Sequence, residues 1–204
     1  MSFNINEIVI ATLNSGKLRE IGELLRDSPI RILSLADHYD IVEVEETGAT
    51  FAENAALKAS EYARLTCSFT LADDSGLEID ALSGRPGVLS ARYGGEDTGF
   101  DEKMRLVLGE IEKTDGLGRG AQFVCSMAVA APNGDIVYTA EGLCRGSIAD
   151  SPRGTGGFGY DPIFIPVGHE MTFGELSSAV KHEISHRARA LAEIIPFLRD
   201  NSVV

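Results

Sequence analysis

The chain of 204 residues has no uninterrupted apolar stretch long enough to span a bilayer. Its first residues, Met1-Ser2-Phe3-Asn4-Ile5-Asn6-Glu7, lack a basic segment followed by an apolar run. A membrane protein and a secretory leader are thereby set aside, and a soluble, unprocessed chain is expected. Cysteine is scarce: Cys67, Cys125 and Cys144 are odd in number, widely spaced and set in apolar surroundings. That argues against a disulfide framework or a zinc knuckle and suits reduced core thiols in the cytoplasm. Positive charge is also short. With 18 Lys and Arg against 31 Asp and Glu, the net charge is −13, a field that repels phosphate backbones and argues against nonspecific nucleic-acid binding. Any anionic substrate must be captured by local cations. At 44% apolar and 24% charged, the chain has ample material for a core. It fits one domain, 1–204, with room for two lobes.

Within Leu71-Ala72-Asp73-Asp74-Ser75-Gly76-Leu77, two adjacent carboxylates interrupt apolar sequence. Residues 69–72 read as a short buried strand and Ser75-Gly76 as turn chemistry, so Asp73 and Asp74 are expected at a strand's carboxyl end. There they could hold a hard cation such as Mg²⁺, which takes one or two protein carboxylates and leaves sites for water and phosphate oxygens. The alternative is a capped turn with both aspartates solvated.

Ile8, Val9 and Ile10 are a β-branched run typical of a buried strand. Asn14-Ser15-Gly16-Lys17 breaks it, and Leu18, Ile21, Leu24 and Leu25 then repeat at helical spacing, with Arg19, Glu20 and Glu23 opposite. Such a strand–loop–helix junction offers free backbone N–H groups, and Lys17 adds a charge, which makes a phosphate cradle or an ordinary turn with a solvated lysine. It is not a Walker loop: Ala11 stands where the earlier glycine is required, and Leu18 follows Lys17. Residues 30–35 read as a second strand, and Glu43, Glu45 and Glu46 as a solvated acidic loop. Thr50-Phe51-Ala52-Glu53 has capping-box spacing, and Ala52, Ala55, Ala56, Ala59 and Ala63 mark a helix able to pack closely. Asn54 and Lys58 share one face of it, so Lys58 is either a surface lysine or a cation reaching the same pocket as Lys17. Residues 82–93 read as an irregular loop and 100–111 as a helix. Two apolar runs, 122–131 and 136–145, flank Pro132-Asn133-Gly134-Asp135, a hairpin signal, and the first run belongs in the middle of a sheet.

Two motifs are decoys. Gly154-Thr155-Gly156-Gly157-Phe158-Gly159 matches G-x-G-x-x-G, but Tyr160-Asp161-Pro162 and a strand-like Ile163-Phe164-Ile165 follow where a dinucleotide site needs a helix. What remains is a loop carrying Phe158, Tyr160 and Asp161, suited to stacking on a planar base or to a core turn. His182-Glu183-Ile184-Ser185-His186 is a literal H-E-x-x-H, the zinc-protease pattern. No third histidine follows, and Ser185 can cap a helix that starts there, which breaks the geometry. Pro196 should kink or end that last helix.

Taken in order, Thr12-Leu13-Asn14-Ser15-Gly16-Lys17, Glu46-Thr47-Gly48, residues 51–58, residues 72–77, residues 154–162, Lys181 and Ser185-His186-Arg187 resemble the inosine triphosphate pyrophosphatase family over almost the whole length. Leu13 departs from it, since many members have a smaller or polar residue there. The resemblance implies an elongated α/β fold, a mixed central sheet flanked by helices, with two lobes around a deep active-site cleft, usually in a homodimer. It implies Mg²⁺-dependent hydrolysis of ITP, dITP and XTP to the monophosphate and pyrophosphate. By residue, it implies Asn14, Lys17 and the backbone of Thr12, Leu13, Ser15 and Gly16 at the triphosphate, with Lys58 as a second phosphate cation. Glu46 and Asp74 resemble the metal-site carboxylates, Asp74 also the general base, with Asp73 supporting the metal or its waters. Ser75 sits at the substrate, and Phe158, Gly159, Tyr160, Asp161, Lys181, His186 and Arg187 resemble the nucleobase pocket. The alternatives are a non-catalytic nucleotide sensor and a zinc metalloprotease.

Overall fold

The structure is a computed structural model that describes residues 3–37, 42–114 and 116–202. Its strands are β1 (Glu7–Ile10), β2 (Arg31–Ser34), β3 (Thr70–Ile79), β4 (Gly120–Ala130), β5 (Ile136–Ile148) and β6 (Phe164–Pro166), hydrogen-bonded in the order β2-β1-β3-β4-β5-β6. β1 runs parallel to β2 and β3, whereas β6 is antiparallel to β5, so the sheet is mixed as expected. The helices are α1 (Ser15–Leu24), α2 (Phe51–Thr66), α3 (Phe100–Ile111), α4 (Ser178–Ile184) and α5 (His186–Asp200).

The chain divides into two compact units, one of residues 1–74, 125–142 and 187–204, the other of 75–124 and 143–186. In the first, one apolar cluster joins Ile8, Ile10, Leu71 and Cys125 to Ile21 and Leu25 of the α1 region and to Ala190, Leu191, Ile194 and Leu198 of α5. A second joins Val9, Ala72, Ala128 and Ala130 to Ala55, Ala59 and Ala63 of α2. Neighbouring strand residues point to opposite faces, so α1 and α5 pack on one face and α2 on the other. The alanines at that second contact let α2 approach the sheet closely. The other unit has its own core, in which Leu77, Ile79, Val107, Phe123, Ile163, Phe164 and Phe173 are buried.

The capping box forms as its spacing predicts: Thr50 Oγ1 accepts from the Glu53 N–H and Glu53 reaches back to the Thr50 N–H. Three expectations are corrected. β3 does not end at Asp73-Asp74 but runs on through Ser75-Gly76 to Ile79, because both carboxylates find cations and the buried Leu77 and Ile79 continue the strand. Glu20 is buried rather than on a polar face, since Arg187 lies against it. Cys67 is exposed and ends α2 in the left-handed conformation, with φ 50°. Of the kink or end expected at Pro196, the end does not occur: α5 continues to Asp200, its buried face carrying the helix past a break that costs about 3 kcal/mol in isolation.

Candidate active site

Asp73 and Asp74 are successive residues of one strand and therefore face opposite sides of the sheet. Asp74 points with Ala72 toward α2. Its Oδ2 accepts from Asn54 Nδ2 at 3.1 Å and its Oδ1 from Lys58 Nζ at 3.2 Å. Lys58 also donates to Glu46 Oε1 at 2.5 Å, so two carboxylates converge on one ammonium. Burial alone would lower the Lys58 pKa, but Asp74, Asp73 and Glu46 outweigh it and hold it above its ordinary value. Burial pushes the Asp74 carboxyl up against the pull of Lys58 and Lys17, and the Glu46 charge pushes it the same way. One cation shared by two acids leaves this spot short of positive charge.

Asp73 points with Leu71 toward α1 and α5. Its Oδ2 meets Lys17 Nζ at 3.0 Å and Arg187 Nη2 at 3.2 Å, and Arg187 Nη1 meets Glu20 at 2.5 Å. Although burial opposes it, the charges of Lys17 and Arg187 hold the Asp73 carboxyl well below the usual carboxylate range. The buried Cys125 thiol, 4.0 Å from Asp73, is pushed up to about 12 by burial and by that negative charge, which makes it inert. Lys17 is carried by the first turn of α1, whose N-cap Asn14 accepts from the Lys17 N–H at 3.0 Å. In the same loop Thr12 Oγ1 accepts from the Asn14 N–H, Leu13 is exposed, Ser15 opens the helix and Gly16 is buried.

Among the described residues no three His, Cys, Asp or Glu side chains are grouped to hold a metal. Glu46 and Asp74 nonetheless fit a hard cation: two carboxylates already gather round one positive charge, and Mg²⁺ asks for one or two from the protein. Asp73 faces the other way, toward Lys17 and Arg187.

The second unit holds a separate group. Lys181 of α4 pairs with Asp161 at 2.5 Å, both buried, and its ammonium lies 4.7 Å from the centroid of the Phe158 ring. Asp161 also accepts from the Phe158 N–H at 2.7 Å. A Cβ at Gly157 would fall 1.9 Å from this carboxylate, so glycine is required there, as its φ of 70° also dictates. Gly159 shares the left-handed conformation, with φ 67°. His186 stacks on Phe123 at 4.7 Å. Tyr160 takes the core reading: its ring packs edge-on against Phe100 and its hydroxyl donates to the Ser90 carbonyl. Arg187, expected beside Lys181 and His186, has its guanidinium on Asp73 and Glu20 in the first unit. Ser75 is half-buried on β3. No helix follows the Gly154–Gly159 string; a 3₁₀ turn, Asp161–Ile163, does. Ser185, extended at φ −69° and ψ 157°, separates α4 from α5, so His182 and His186 do not lie one turn apart on a single helix.

A sequence profile described as the Ham1 family matches residues 8–197. The chain belongs to the Ham1 family. It is 49% identical over 188 residues to a dITP/XTP pyrophosphatase of Geobacter sulfurreducens, covering 92% of this chain and 94% of the relative. To a dITP/XTP pyrophosphatase of Nostoc sp. it is 47% identical over 189 residues, covering 93% and 92%. The solved HAM1 protein of Coxiella burnetii superposes with a TM-score of 0.87 at 42% identity, covering 95% of this chain and 98% of that one. The resemblance to inosine triphosphate pyrophosphatases is thus borne out at the level of the Ham1 family. Glu20 escaped the sequence reading, since it sits among helical polar residues and gave no signal of burial. Asn54 was placed on one face with Lys58 by its four-residue spacing, but without its bond to Asp74.

Proposed function

We propose that this Ham1 family chain hydrolyses the deaminated purine nucleoside triphosphates ITP, dITP and XTP to the monophosphate and pyrophosphate, clearing them from the nucleotide pool. The relatives' names support the substrate class, and the convergence of Glu46 and Asp74 on Lys58 is the observation that carries the chemistry. In this reading Glu46 and Asp74 hold Mg²⁺. When bound, Mg²⁺ supplies positive charge to the triphosphate and makes a nearby water acidic enough for a carboxylate to deprotonate. Asp74 is the general base, and its burial suits it to take a proton. Attack falls on the α-phosphorus, and Lys17 and Lys58 stabilise the charge developing on the departing pyrophosphate. The loop of Thr12, Leu13, Asn14, Ser15 and Gly16 offers backbone donors to the phosphates. These local cations overcome the field of a chain with net charge −13.

The second unit's group is the base reader in this proposal, with Ser75 also at the substrate. Phe158 offers a stacking surface, and Lys181, oriented by Asp161, donates to the purine 6-oxo group; adenine presents a donor there instead. Lys181→Met is therefore expected to lower kcat/KM for ITP by about tenfold or more, the cost of one lost buried polar contact, with little change for ATP. Equal losses on both nucleotides would remove Lys181 from base selection. The family resemblance supports a homodimer working in the cytoplasm. Among the described residues no helix is long and apolar enough to cross a membrane.

The direct test is incubation with ITP, dITP, XTP, ATP and GTP, with the products resolved. Pyrophosphate and the nucleoside monophosphate are expected from the first three. Orthophosphate with a nucleoside diphosphate would refute attack at the α-phosphorus, and a nucleotide that binds without turnover would favour a sensor.

A further inference from the structure

We infer that Asn54 is a positioning residue that holds the Glu46 loop in register with Asp74, so that the two carboxylates face one point whatever cation lies between them. This rests on the metal reading given above.

Asn54 is fully buried on α2. Its two amide atoms are spent in opposite directions: Nδ2 donates to Asp74 Oδ2 at 3.1 Å, and Oδ1 accepts from the Gly48 N–H at 2.7 Å. A carboxamide does both from one short side chain, through two different atoms. One turn along α2, Lys58 makes a parallel link from Asp74 Oδ1 to Glu46 Oε1. Asp74 is thus tied to the 46–48 segment twice, once by a neutral amide and once by an ammonium. The ammonium link has to change when a divalent cation or a triphosphate competes for the carboxylates. The amide link does not, because it uses the backbone N–H of Gly48 and leaves Asp74 Oδ1 and the Glu46 carboxylate out of it. The capping box extends the anchorage, since Glu53 accepts from the N–H groups of both Ala49 and Thr50. Gly48 is fitted to the same purpose: a Cβ there would fall 2.6 Å from Asn54 Oδ1 and 2.8 Å from Glu53 Cβ.

The test measures Mn²⁺ binding to the free protein by electron paramagnetic resonance, together with hydrogen exchange at Gly48, for wild type, Asn54→Ala, Gly48→Ala and Ser60→Ala. Ser60, on the same helix, donates to the Gly134 carbonyl and controls for a general loss of helix packing. Asn54→Ala and Gly48→Ala are expected to weaken Mn²⁺ binding by about tenfold or more, as groups that orient metal ligands do, and Asn54→Ala to speed Gly48 exchange. Ser60→Ala should leave both near wild type. If Asn54→Ala fails to fold, Gly48→Ala carries the same comparison. A folded Asn54→Ala with wild-type Mn²⁺ affinity overturns the inference, as does an equal loss in Ser60→Ala. If wild type itself binds no Mn²⁺, the metal reading fails, and Gly48 exchange still decides whether Asn54 clamps the loop: unchanged exchange in Asn54→Ala overturns the clamp too.

Discussion

Asp74→Asn is expected to lower kcat on ITP by about 10³-fold, with the far-ultraviolet circular dichroism of the wild type retained. The side chain accepts at both oxygens, from Lys58 and from Asn54. A carboxamide offers one oxygen and one NH₂, so one of those two donors meets another donor. That mismatch costs about 1–3 kcal/mol of stability. The kinetic loss corresponds to about 4 kcal/mol of barrier, so a folded variant with almost no turnover is the expected outcome. The removed group acts on the reacting water in the proposed mechanism, and the loss should therefore fall on kcat more than on KM. A variant that keeps a tenth of the wild-type rate would sink the assignment of Asp74 as base.

The two aspartates also show where sequence reading succeeds and where it stops. That Asp73-Asp74 mattered was legible, because two charges in an apolar run need compensation. Their placement on opposite faces of the sheet was not. It follows from the two-residue period of a strand that continues, and Ser75-Gly76 read as the end of that strand. Periodicity and capping chemistry placed α2, α3 and the β4–β5 turn well, since those signals are local. Glu20 and Arg187 lie 167 positions apart in the chain and meet through folding alone, so no local pattern announces them. Lys58 and Asn54 stand between these cases: their shared face was legible, but its partner on β3 was not. Similarly, Tyr160 sits in a loop that read equally well as a base-stacking surface or a core turn, and only its packing against Phe100 decides for the core.

The largest expected effect on stability is at Arg187. Its guanidinium is almost wholly buried and joins two acids from different elements, Glu20 of α1 and Asp73 of β3. Arg187→Met keeps much of the apolar stem but withdraws the charge, leaving Glu20 and Asp73 buried with less compensation. Removing one partner of a buried ion pair costs about 3–5 kcal/mol, a large share of the stability of most domains. Urea unfolding at neutral pH measures it directly. Adding Glu20→Gln to the variant should recover part of the loss, because it removes one of the two stranded charges, and a double-mutant cycle isolates that coupling. Acid stability should shift as well. The folded-state pKa of Asp73 is depressed, so its contribution is complete above the unfolded value, about 4, and drains away as pH falls toward the folded value. Without Arg187 that depression shrinks, and the variant should lose this contribution at a higher pH than wild type. An Arg187→Met chain within about 1 kcal/mol of wild type would mean that the buried chain of charges contributes little, and that Lys17 alone suffices to hold Asp73.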